Sequence, residues 1–236
     1  GLGLADLRHL LLSHIHLDHA GAAGVLVREH PGLQVHVSEI GAPHLVDPGK
    51  LIASARRLYG DELELLWGEI APVPRANVHV AGERVLGLDC FPTPGHASHH
   101  VSYLDGDGTL YAGDAAGVRI APGRVVLPPT PPPDVDVEAW QATLEEIRRR
   151  GPERLALIHF GVFTDVERHL DDVGRTLADW TERVERGASE QEFIEGVVEE
   201  LRDADPEAAE VYTQAMPLEQ SYAGLRRYVD KRAEAA

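Results

Sequence analysis

Ser13-His14-Ile15-His16-Leu17-Asp18-His19 follows directly on the apolar run Leu10-Leu11-Leu12 and packs three imidazoles and a carboxylate into residues 14–19. Residues two apart in an extended chain point to the same side, so His14 and His16 leave a strand end on one face and can share one ion. Ala20 to His30 reads as a small-residue helix stopped by Pro31-Gly32, and its start turns Asp18 and His19 toward a neighbouring ion. One short segment can therefore serve two metals. Neutral imidazole suits zinc, iron and similar ions, while a carboxylate offsets cationic charge and can hold or orient a water. The plain alternative, a histidine-rich loop without metal, loses ground to the further ligand candidates downstream.

A metal site of this kind needs further ligands, and three residues in loops after apolar runs offer them. His96 stands in Thr93-Pro94-Gly95-His96, after the strand-like stretch Arg84 to Phe91. Asp114 follows Thr109-Leu110-Tyr111-Ala112 and Gly113, and His159 ends the run Leu155-Ala156-Leu157-Ile158. Each caps a strand.

The HxHxDH segment, the TPGH turn, the Gly-Asp pair and the late histidine, in this order, resemble the metallo-β-lactamase-fold metallohydrolase superfamily, its glyoxalase II-like members among them. The resemblance runs from the first residues to about His159. It implies an α/β fold, a four-layer αββα sandwich with the metals at one edge of two sheets. Carried over by position, His14, His16 and His96 hold the first metal, Asp18, His19 and His159 the second, and Asp114 bridges both. The cofactors implied are two divalent ions, zinc first, with iron or manganese as alternatives. Asp18 is the residue expected to orient the nucleophile and shuttle its proton. His100, in Gly95-His96-Ala97-Ser98-His99-His100, matches a second histidine that supports the site from behind the ligands in glyoxalase II-like members; His99 is expected to be exposed. Arg119 suits an anionic substrate by its guanidinium, with a surface salt bridge as the competing reading. His9, His30, His36, His44, His79 and His169 are expected to be structural or solvated.

The expected chemistry is attack of a metal-bridging hydroxide on a carbonyl, with the ions stabilising the oxyanion. This makes the chain a dinuclear metal-dependent hydrolase of a small-molecule thioester, ester or lactone. Two other readings stand beside it: a persulfide dioxygenase-like oxidoreductase with one iron, and a non-catalytic binding protein. One subclass of zinc β-lactamases carries a cysteine ligand where this chain has Asp114, which argues against that type.

The 236 residues, 43% of them hydrophobic, can bury a substantial core, and no apolar run reaches membrane length. The expectation is a cytoplasmic protein with no membrane partner. The lone cysteine, Cys90, excludes an internal disulfide and reads as a small buried hydrophobe. A net charge of −17 disfavours nucleic acid. Two lysines, Lys50 and Lys231, leave arginine to supply most of the positive charge, a bias that fits a GC-rich genome or a salt-adapted proteome.

The metal motif arrives only thirteen residues after Gly1, with Ala5 to His9 reading as the tail of a helix. Family members carry several strands before it, so the first N-terminal strands are expected to be missing. Gly41 to Ile70 reads as two or three short helices, either a pocket wall or a packing layer. Leu127 to Pro133 is a stiff proline-rich link that either frames the site or bridges two layers. Trp140, Leu144 and Ile147, then Val166, Leu170, Val173, Leu177, Trp180 and Val184, mark amphipathic helices. The second stripe is heptad-like, so it packs either internally or in a homodimer. Residues 1–186 are expected to form the metallo-β-lactamase-fold domain and 187–236 a helical extension packed on it. On that extension Tyr212 and Tyr222 read first as packing residues and second as substrate contacts.

Overall fold

The computed structural model describes residues 3–121, 123–159, 161–207 and 209–235. The chain divides into two compact units, one of residues 1–92 with 99–101 and one of residues 93–98 with 102–236.

The first unit is built on a three-stranded parallel sheet, β1 (His9–Leu11), β2 (Gln34–Val37) and β3 (Val78–Val80), in that order. His9 lies opposite Gln34, and His36 opposite His79. The period-2 pattern splits the strands cleanly. Val35 and Val37 are fully buried against Leu12 and against Ala23 and Val27 of helix α2 (Ala23–Glu29), while His9, His36 and His79 take the other face. Helix α1 (Leu17–Ala20) is a single turn at the end of β1. His9 therefore belongs to the strand, and the expected helix tail before it shrinks to one 3₁₀ turn at Leu4–Asp6, because a leucine-rich run beside a sheet edge gains more from pairing than from one more helical turn.

The stretch from Gly41 forms α3 (Ala42–Val46), α4 (Gly49–Tyr59) and α5 (Leu63–Trp67), three helices as expected. Leu63 and Ala55 bury against Leu17, the residue between His16 and Asp18, with Leu51, Ile52, Tyr59 and Trp67 packed around them. The insertion thus packs on the ligand-bearing turn through Leu17. The run expected as one strand from Arg84 to Phe91 is a hairpin, β4 (Arg84–Val85) and β5 (Leu88–Pro92), turned by Leu86 at φ 54° and Gly87 at φ 94°. Two positive φ values in a two-residue loop suit the twist of antiparallel strands, but a leucine in the first position hides the signal.

In the second unit β6 (Val101–Leu104), β7 (Thr109–Gly113), β8 (Arg154–Leu157) and β9 (Gly161–Phe163) lie side by side in chain order. β7 and β8 run parallel, so the chain between them must cross over, and α6 (Val137–Arg150) makes that crossing. Asp136 caps α6 by accepting the N–H of Ala139 at 2.9 Å. Trp140, Leu144 and Ile147 are fully buried, as is the stripe Leu170, Val173, Leu177 and Val184 of α7 (Val166–Glu185). The heptad-like pattern of α7 is accounted for inside the chain, where α10 (Leu218–Ala235) and α8 (Glu190–Ala204) pack on it.

A capping box, Ser189 with Glu192, starts α8. The Phe193 ring meets Trp180 edge-on at 5.1 Å and Tyr222 at 5.7 Å. A short α9 (Ala209–Ala215) buries Tyr212, whose O–H donates to the Val125 carbonyl at 2.8 Å; Tyr222 donates to Ala188 at 3.0 Å. Both tyrosines act as packing residues with their hydroxyls spent on backbone. Among the described residues no helix is long and apolar enough to cross a membrane.

Candidate metal centre

In the first unit His14 is the hub. The end of β1 and the one-turn α1 after it, held by His19 and Ala20 N–H groups donating to the His16 carbonyl at 3.0 and 2.9 Å, fold the motif back on itself. Ring centroids of His16 and His19 then lie 4.5 and 4.0 Å from that of His14. A ring nitrogen of His14 comes within 4.8 Å of one on His16 and of one on His19. His14 is fully buried, whereas the Asp18 side chain is 40% exposed, 3.1 Å from His19 Nε2. The sequence thus yields one inward imidazole flanked by two others, with a carboxylate reaching outward from the same turn.

Residues 99–101 group with this unit, tied to it by the Val101 N–H donating to Ser13 at 2.8 Å and by the Ser38 hydroxyl donating to the His99 carbonyl at 2.7 Å. His100 is buried and stacks on His14 at 4.9 Å, a placement that suits a supporting role. His99, expected to be exposed, is buried. Its Nδ1 accepts the Ile15 N–H at 3.5 Å and its ring stands edge-on to His16 at 5.5 Å. The partner that buries it is 84 residues away in the chain, a distance over which local pattern carries no signal.

In the second unit Asp114 sits at the end of β7, its side chain only 4% exposed. One carboxylate oxygen faces His96 Nε2 at 3.3 Å and the other faces His159 Nε2 at 3.4 Å. His96 comes from the turn between β5 and β6, where Thr93 bonds Ser102 at 2.9 Å and Thr143 donates to the Pro94 carbonyl at 2.6 Å. The proline-rich link frames the site: the Pro129 carbonyl lies 2.7 Å from His96 Nδ1. A carbonyl only accepts, so Nδ1 carries the proton, and in the neutral ring Nε2 turns its lone pair toward Asp114. Two acceptors set face to face suit a shared cation, and their separation resembles that of neighbouring ligand atoms about 2.0–2.2 Å from one ion. In each unit the donors, imidazoles with one carboxylate, suit divalent zinc, iron or manganese.

Arg119 is committed elsewhere. Its guanidinium donates to both Asp165 oxygens at 2.8 and 3.0 Å and to the Gly123 carbonyl at 3.0 Å, and it lies 4.1 Å over the Phe163 ring. Arg119 is 7% exposed while Asp165 is only half-buried, so the ion pair expected at the surface is partly buried, and it holds the entry to α7 instead of presenting a cation to substrate. Burial works to raise the Asp165 carboxyl, yet the bond from Arg119 and its charge prevail and hold it below the ordinary value.

His169 is also fully buried, its Nε2 2.7 Å from the Ala116 carbonyl. Burial lowers its pKa from the ordinary value, against the opposing pull of that hydrogen bond. The folded chain thus refuses a proton that the unfolded chain accepts below about pH 6.5. This contribution is complete above that pH and is lost as pH falls toward the folded value, at up to about 1.4 kcal/mol per pH unit. We expect thermal denaturation midpoints to fall as pH drops below about 6.5, and His169→Gln to flatten that slope. An unchanged slope in the variant would assign the effect to other groups.

A family model described as the metallo-beta-lactamase superfamily matches residues 1–159. The metallo-beta-lactamase fold-containing protein ST1585 of Sulfurisphaera tokodaii is 28% identical over 177 residues, 71% of this chain and 66% of that protein. Its crystal structure superposes with a TM-score of 0.67 at 25% identity, covering 93% of this chain and 80% of that one. A hydroxyacylglutathione hydrolase of Vibrio campbellii is 37% identical over 108 residues, 46% of this chain and 32% of the relative. A solved structure of TTHA1623 in a di-iron-bound form superposes with a TM-score of 0.50 at 26% identity, covering 72% of this chain and 75% of that one. The chain thus spans less than two thirds of the length of either named sequence relative. The mixed α/β fold with its C-terminal helices agrees with these structures.

Proposed function

We propose, from the premise that this chain belongs to the metallo-beta-lactamase superfamily, that it is a two-metal hydrolase of a small thioester, ester or lactone. The observation that carries this reading is Asp114, a buried carboxylate with one oxygen turned to each of two imidazoles, 3.3 and 3.4 Å away. That is the shape of a ligand meant to serve two ions. In this reading His14, His16 and His96 hold one ion, Asp18, His19 and His159 the other, and Asp114 both. Bound divalent ions would supply an acidified water and polarise the substrate carbonyl.

The protein's own groups do the rest. Asp18, exposed enough to meet solvent and held beside His19, receives the proton of the attacking water and returns it to the leaving group. Pro129 fixes the tautomer of His96, so its Nε2 is the nitrogen offered. His100, stacked on His14, keeps that ring from rotating out of line. The hydroxyacylglutathione hydrolase likeness supports a thioester as the first substrate to try.

The test joins metal analysis to a hydrolysis screen. About two zinc, iron or manganese ions per chain and turnover of one of the three substrate classes are expected. Asp18→Asn should keep the fold and lower turnover by about 10²–10⁴-fold, the usual worth of a positioned acid–base group. Wild-type turnover in that variant would remove Asp18 from its role. A single iron with oxygen consumption in place of hydrolysis would overturn the reading as a whole.

A further inference from the structure

We infer that Trp140 and His169 are positioning residues for Asp114, acting through the two carbonyls directly after it in the chain; this rests on the reading of Asp114 as a ligand. The loop after β7 makes a tight turn, Gly117 donating its N–H to the Asp114 carbonyl at 2.9 Å and Ala115 to Ala112 at 3.2 Å. Ala115 and Ala116 are fully buried, so their small side chains let neighbours close on the backbone from outside. Trp140 Nε1, from the first turn of α6, donates to the Ala115 carbonyl at 2.8 Å. His169 Nε2, from the first turn of α7, donates to the Ala116 carbonyl at 2.7 Å. Two helices thus each pin one of two successive peptide units. Rotation about the Asp114 backbone, which would swing its carboxylate away from His96 and His159, must break one of these bonds.

His169 shows that the arrangement is kept at a cost. Its Nδ1 is buried with no hydrogen-bond partner among the described residues, a penalty that a leucine in the same place would avoid. The ring stacks on Phe163 at 5.9 Å, so an apolar residue fits the surroundings. The one thing imidazole supplies there is the N–H that holds Ala116. Trp140 lies edge-on to His96 at 5.6 Å as well, so one side chain steadies the ligand turn on one side and the Asp114 loop on the other.

The experiment is a cycle of zinc affinities, measured by competition with a chromophoric chelator, for wild type, His169→Leu, His169→Gln, Asp114→Asn and the double variant His169→Leu with Asp114→Asn. His169→Leu should weaken the more loosely held zinc about 10–100-fold, as loss of a partner behind a ligand does. His169→Gln, whose amide can donate to Ala116, should restore most of it. In the Asp114→Asn background His169→Leu should cost nothing further, because there is no carboxylate left to position. Wild-type affinity in His169→Leu, or an equal loss in both backgrounds, would overturn the inference. If Asp114→Asn itself leaves affinity unchanged, the ligand reading fails instead. Should His169→Leu not fold, Trp140→Phe, which keeps the ring and removes the N–H, runs through the same cycle with the same outcomes.

Discussion

Gly95→Ala should cost the fold about 3–5 kcal/mol, the range of severe core disruption, and lower the thermal midpoint by about 10 °C or more. Gly95 has φ 130°, a conformation that side chains rarely adopt. A Cβ there would stand 2.3 Å from Trp140 Cβ, 2.4 Å from its Cα and 2.6 Å from its backbone nitrogen, contacts that a rotamer change cannot relieve. Nor can the helix back away. The Asp136 N–H donates to the Gly95 carbonyl at 2.9 Å, Thr143 bonds Pro94, and Trp140 itself is fastened to Ala115. The glycine of TPGH is thus the point where the ligand turn lies directly on α6. Thermal denaturation of the metal-free variant isolates the packing effect; a midpoint within 2 °C of the parent would show that the turn yields at little cost, about half a kcal/mol or so.

Much of this molecule is legible in its sequence because its strongest signals are local. The spacing of His14, His16, Asp18 and His19 is a short-range pattern, and the fold places three imidazoles and a carboxylate around one turn as that pattern requires. The stripe from Val166 to Val184 is longer than chance alternation and folds as one helix with every marked residue buried. What the sequence conceals is set by distant chain. His99 looks like one more polar residue in a histidine-rich loop until Ile15 and Ser38 close on it. His169 reads as structural or solvated on a helix start, and the return of the Ala116 carbonyl 53 residues earlier decides for the structural reading by making it a buried donor. Arg119 offers the same lesson, because the carboxylate that claims it stands 46 residues away. The hairpin at Leu86-Gly87 is missed for a local reason, since a bulky residue such as leucine is seldom found at φ 54°.

Asp114→Asn should have two opposite effects that together separate a ligand from an ordinary buried carboxylate. The substitution keeps size and shape, so packing around Ala115 and Ala116 survives and the fold is expected to remain. In protein stripped with a chelator, the wild-type carboxyl group lies at 4% side-chain exposure with imidazole nitrogens on both sides and no divalent ion to offset its charge. Burying charge is costly unless it is well paired, so the neutral amide should leave the stripped protein as stable or more stable. In metal-loaded protein the order reverses. An amide lends far less charge to a divalent ion, so affinity should fall by more than the roughly 10–100-fold that outer partners cost, and the rise in thermal midpoint that saturating zinc gives the wild type should shrink in step. Turnover should fall with it. A variant that is less stable when stripped and still gains the full zinc-dependent stabilisation would identify Asp114 as a structural acid for His96 and His159, and the two-metal reading would lose the residue on which it depends.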